Sequence, residues 1–183
     1  MSISVKDFCD KHGAYIEVRE WALACGSATM HELWARDDVK PEWRIWIATR
    51  TGVLSDRDLL FFACWCARQV WHLLSDERSR NAVEVSERFA DGKATADELA
   101  VARGAAWAAW AASRARRHDA EGAARAAAWA AFAAWAAWED EGSAGDAAGS
   151  AAWASSRARR HDAEGAARAA QAKWLRENTI PAL

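Results

Sequence analysis

Cysteine and histidine lie close together twice in this chain, as Cys9-x-x-His12 and as Cys64-x-Cys66 followed by His72, and thiolate beside imidazole is the chemistry of a zinc site. The second group fails on geometry. Two residues two apart on a helix point about 200° away from each other, so Cys64 and Cys66 do not readily share one ion. His31, His118 and His161 have no cysteine nearby, and the His-Glu-x-x-His spacing of metalloproteases does not occur. A glycine-rich phosphate loop and a Gly-x-Ser-x-Gly nucleophile turn are missing too. Asp37 and Asp38 read as a solvated loop pair, not as a general acid and base. These residues predict no catalytic set, no metal and no cofactor, and the chain is expected to act by binding.

The chemistry left is recognition. Ser113 to Ala127 reads SRARRHDAEGAARAA, and Ser156 to Ala170 repeats it residue for residue at an offset of 43. Arg117, Glu121 and Arg125 fall four apart on one helical face, as do Arg160, Glu164 and Arg168, a spacing that favours ion pairs along the helix. One reading is a register device between two helices. The other is a cationic strip of Arg114, Arg116, Arg117, His118, Arg157, Arg159, Arg160 and His161 for an anionic partner. Thirteen tryptophans are far above ordinary usage, and tryptophan and arginine are the residues most often found at interface hot spots. Trp135, Trp138 and Trp153 join the strip as candidate partner-binding residues.

The elements that must position these groups are helices. Only two prolines occur, Pro41 and Pro181, β-branched residues are sparse, and alanine dominates the second half. The expected fold is all-α: an N-terminal bundle of short helices over 1–92, followed by a long Ala/Trp-rich antiparallel helical hairpin over 93–183 that carries the duplication 113–127 and 156–170. In the first part the pattern predicts helices near 4–11, 14–25 and 28–36 and one opening at Pro41, with Gly13, Gly26 and Gly52 as stops. A core helix near 56–75 is read from Leu60, Ala63, Cys64, Ala67, Val70, Trp71 and Leu74 at helical spacing. Another helix runs to about Phe89, with Arg80 placed four residues before Glu84 on a solvated face. Thr95 and Glu98 form a capping box. A helix from there to Glu141 would extend about 70 Å, the glycine-rich segment 139–150 breaks it, and a second rod ends near Glu177. Two copies with divergent flanks argue against a solenoid.

Composition narrows the partners. The net charge of -2 offers no overall pull toward nucleic acid or an anionic membrane, and neither half of the chain is basic. No window supplies about 18 uncharged apolar residues, so no membrane span is expected. The opening MSISVKDFCDKHG shows no basic stretch leading into an apolar core, which reads as a cytoplasmic protein. Cys9, Cys25, Cys64 and Cys66 are then expected as reduced, mostly packed thiols.

Residues 62–90, FACWCARQVWHLLSDERSRNAVEVSERFA, resemble a group of alanine- and tryptophan-rich phage and bacterial proteins, some of them Imm5-like immunity proteins. The shared features are Cys66-Ala67-Arg68, then Asp76, Arg78 and Arg80, then Ala82-Val83-Glu84, and a tail of Ala-Ala-Trp and Ala-Ala-Arg units; Ser79 stands where those proteins often carry proline. The FCDKHGA opening, Glu20-Trp21-Ala22, Trp34 and the segment from Trp43 to Trp46 look like the phage members as well. The resemblance implies a non-enzymatic phage accessory protein, working in the host cytoplasm, that binds and blocks a defence protein such as a CRISPR effector, a restriction enzyme or another nuclease. An immunity protein for a cognate toxin is the first alternative. Nucleic-acid binding through the duplicated Arg/His strip is the second, disfavoured by charge, and a homodimer is compatible with each.

Overall fold

The structure, a computed structural model, describes residues 2–74, 76–115, 149, 152 and 161–183. Among the described residues all regular structure is helical, apart from one isolated bridge between Ser4 and Thr29. The helices are α1 (Val5–His12), α2 (Ile16–Ala24), α3 (Met30–Ala35), α4 (Pro41–Ala48), α5 (Asp56–Gln69), α6 (Glu77–Ala90), α7 (Ala96–Ala115) and α8 (His161–Asn178), with a 3-10 turn over Trp71–Leu73. The all-α expectation stands. The hairpin expected of the second half, its duplication and its break at 139–150 lie largely outside the described residues.

Local chemistry accounts for most boundaries. Ser4, Thr29, Ser55 and Asp76 each accept a backbone N–H of the following first turn through a side-chain oxygen, filling one of the donors that a helix start leaves open. At Thr29 and Thr95 the box is reciprocal: the glutamate three residues on, Glu32 or Glu98, accepts the threonine's own backbone N–H. Pro41 occupies the first turn of α4. Gly13 ends α1 at φ 60°, a left-handed conformation that costs a residue with a Cβ about 1–2 kcal/mol.

α5 is shorter than the predicted core helix. It stops at Gln69 because Val70 leaves helical geometry (φ −117°, ψ 20°) and Leu74 turns extended. Beyond the break Val70 and Leu74 are both buried in a small cluster with Trp71. Glu77 then opens α6, so Ser79 falls in its first turn, where it is buried and its N–H donates to the Asp76 carbonyl at 3.0 Å.

The main core gathers the first six helices. Phe8, Met30, Leu33, Phe62, Cys64, Cys66 and Val83 are among its fully buried members. The short Asp91–Thr95 connection folds α7 back along α6, where Arg88 and Glu98 pair at 2.9 Å and Leu99, Ala102 and Ala106 turn inward. α8 packs on α4 and α5. Its Leu175 is fully buried, and the Trp174 ring lies between Phe62 (5.6 Å between centroids) and Trp65 (5.8 Å, stacked). Two polar ties complete the seat: Arg176 pairs with Asp37, and Ala182 N–H donates to the Val53 carbonyl at 2.7 Å.

The loop after α3 is held by an arginine that sequence inspection passed over. Arg44 is only 3% exposed, yet its Nη1 and Nη2 donate to the Trp34 and Arg36 carbonyls at 2.6 Å each, at the end of α3 where carbonyls lack helical partners. Its guanidinium also lies over the Trp34 ring at 5.0 Å. Asp37 and Asp38, expected as a solvated pair, are exposed but engaged: Asp37 by Arg176, Asp38 by the forked guanidinium of Arg36.

Candidate protein-binding surface

Arg114 belongs to α7 and His161 opens α8, but the side chains of both lie outside the description, as do Arg116, Arg117, His118, Arg157, Arg159, Arg160, Trp135, Trp138 and Trp153 altogether. The duplicated strip is therefore neither assembled nor dispersed by the described geometry. What the structure does bring together lies at two other places, a partly exposed tryptophan between two arginines at one and exposed apolar side chains at the other.

The first is the junction of α5 and α6. Because α5 ends at Gln69, Trp71 sits on the 3-10 turn, partly exposed, one turn beyond Arg68. The Arg68 guanidinium lies 3.9 Å from the Trp71 ring centroid, within cation–π range, and that of Arg80, from α6, 5.7 Å away. Each cation is held by its own carboxylate. Glu87 grips Arg68 through two parallel bonds, Nε to Oε1 at 2.8 Å and Nη2 to Oε2 at 2.6 Å, and this pairing raises the arginine's pKa against the opposing effect of burial. Glu77 accepts from Arg80 Nη1 at 2.9 Å, so the partner of Arg80 is Glu77, one turn back, and not the Glu84 expected from four-residue spacing. Arg80 Nε is buried and has no hydrogen-bond partner among the described residues. The side chain gives up that bond to lie against Trp71, where ring contact repays only part of the loss.

The second place is α2. Val18 and Ala22 face the core, while Ile16 (71% exposed) and Leu23 (47%) point outward with Tyr15 (72%) at the helix start. Seven positions separate Ile16 from Leu23, which returns the side chain to within about 20° of the same direction. Arg19 and Glu20 lie between them. At the inner edge of the same helix Trp21 packs on Trp43 (4.9 Å between centroids), and Lys40 Nζ sits 4.4 Å from the Trp43 ring. Beneath runs a narrow apolar cleft lined by Phe8, Val18, Met30, Leu33 and Ile47, filled too closely to hold more than a small group.

Elsewhere the described charges serve the fold. Arg19, Arg36, Arg57, Arg78, Arg88 and Arg176 each pair with an aspartate or glutamate, which leaves little cationic surface here for phosphate. The cysteines are free thiols. Cys9, Cys64 and Cys66 are buried, Cys64 Sγ contacts the Val83 carbonyl at 3.9 Å, and burial pushes the Cys64 and Cys9 thiols up, away from reactive thiolate. His12 packs on the Phe8 ring at 4.4 Å, where burial lowers its pKa. Among the described residues no group of three or more His, Cys, Asp or Glu is placed to hold a metal ion, and no helix is long and apolar enough to cross a membrane.

Both surfaces escaped sequence inspection for a definite reason. Trp71 continued the apolar spacing of α5 and was read as core, because the break at Val70 is not legible in residue types. The signal for α2 was present: apolar residues on both sides of a nine-residue helix that has only one side to bury. Compared with protein-family models, with curated proteins and with solved structures, the chain matches none.

Proposed function

We propose that this chain is a non-enzymatic inhibitor of phage type that binds a bacterial defence protein and occupies its working surface, with the Arg68–Trp71–Arg80 cluster as a contact point. The cluster itself carries the reading. An indole flanked by two guanidinium groups combines the two side-chain types that contribute most at protein interfaces, and both cations are already fixed by carboxylates. Side chains ordered before binding lose less entropy on association. Supporting it, Arg68, Trp71, Arg80 and Glu87 all lie within residues 62–90, the segment on which the resemblance to phage accessory proteins rests.

The test is phage plating on hosts that carry single defence systems, CRISPR effectors and restriction enzymes among them, with and without the expressed chain. Plaque formation should recover on at least one host, and Trp71→Ala should lose about tenfold or more of that recovery, the equivalent of 1.4 kcal/mol of binding, while keeping the helical circular dichroism of the parent. No recovery on any host, or full recovery with Trp71→Ala, counts against the inhibitor and against the contact point respectively.

A further inference from the structure

The junction of α5 and α6 holds one carboxylate more than its cations use. Arg80, Glu84 and Glu87 follow one another at helical spacing, so they lie along one face of α6. Arg80 and Glu87 both reach the Arg68–Trp71 stack, which places Glu84 between them on the side where the stack sits. Glu84 is exposed, and it is near enough to Arg68 to help raise the arginine's pKa. The arginines of α5 and α6 are each taken by another acid: Arg57 by Asp91, Arg68 by Glu87, Arg78 by Asp76, Arg80 by Glu77 and Arg88 by Glu98 of α7. Among the described residues Glu84 itself has neither an ion pair nor a side-chain hydrogen bond.

A group that enters beside Trp71 therefore meets an indole and a carboxylate still open to pairing. An acidic side chain would face Glu77, Glu84 and Glu87 while both guanidinium groups are already bonded, and a phosphate backbone would meet the same repulsion. A cation meets attraction instead. Resting on the reading of Trp71 as a contact point, we infer that the partner protein sets a basic segment here, with an arginine or lysine head paired to Glu84 and its apolar stem along the Trp71 ring. Long cationic side chains suit both halves of that contact, since the methylenes cover apolar surface while the head stays with the opposite charge. The face of the partner that is covered is then a cationic one, and the complex weakens as salt screens the pair.

Plating on the defence-carrying hosts tests it once the charge of Glu84 is changed. Glu84→Lys should lose about tenfold or more of the plaque recovery that the parent chain gives. Glu20→Lys, the same change of charge at an exposed position of α2, should lose none. A second measurement reads the pair itself: calorimetric titration of the purified chain into the defence protein of the recovered host, at rising KCl. The Kd of the parent should increase more steeply with salt than that of Glu84→Gln, which keeps the shape of the side chain and removes its charge. If no host recovers, the inhibitor reading falls and this contact with it. Recovery that Glu84→Lys leaves whole, a loss that Glu20→Lys shares, or equal salt slopes for the parent and Glu84→Gln overturns the basic contact alone.

Discussion

Single charged side chains carry much of the surface order of this molecule, and their effect can be read through pH. Asp10 is held below the ordinary carboxylate value of 3.8 by hydrogen bonds from Arg19 and Lys6, and Asp38 by Arg36. Glu98 is held below its ordinary 4.5 by the Thr95 backbone N–H first and then by Arg88. A carboxylate whose folded pKa is depressed holds fewer protons folded than unfolded as the medium turns acid. Its contribution is therefore complete above the ordinary value and drains away as pH falls through the folded one. Urea midpoints measured from about pH 6 to about pH 3 should drop more steeply for the parent than for Asp10→Asn combined with Glu98→Gln. Equal slopes would mean that these pairs are geometric companions without energetic weight, as many exposed ion pairs are.

Helix ends were the most legible level. Thr95 with Glu98, Pro41 and the stop at Gly13 all act where their types and positions indicate, because a cap is a short-range bargain between one residue and the nearest N–H or carbonyl groups. The α5 stop was not legible, because it depends on Val70 and Leu74 finding a common cluster after the helix ends. Helix α8 is seated by packing at its C-terminal end, where Leu175 is fully buried and Trp174 stacks on α5, with the polar ties of Arg176 and Ala182 beside them; the rest of the helix is largely alanine and polar residues. Leu175→Ala should cost about 3 kcal/mol, the middle of the range for emptying a buried leucine site. Chemical denaturation followed by circular dichroism measures it; a loss under about 1 kcal/mol would show that α8 closes over the gap without contributing to the core.

Over the whole molecule, the described elements share one main core that runs from Val5 in α1 to Leu175 in α8. Buried side chains at both ends of the chain touching a common centre predict a single cooperative unfolding. Tryptophan fluorescence sums thirteen indoles, Trp65 and Trp174 at the α5–α8 contact among them, and far-ultraviolet circular dichroism reports all helices, so the two midpoints should coincide. Separate midpoints would mean that the segments on either side of residue 92 unfold independently. Among the described residues, the clamped Trp71 and the outward face of α2 are exposed patches where substitutions should leave the fold in place.

What the residues determined by themselves was the helical class, the start signals and the burial of Cys64, because propensity, capping and burial period act over one or two turns of chain. Which arginine meets which carboxylate, why Arg44 lies buried against two carbonyls, and where Trp71 and Ile16 face were decided only by tertiary packing. Several of those partners are distant in the chain: Glu87 reaches Arg68 from 19 residues away, and Asp37 meets Arg176 across 139. Contacts over such separations are selected by the shape of the assembled core, which no local spacing encodes.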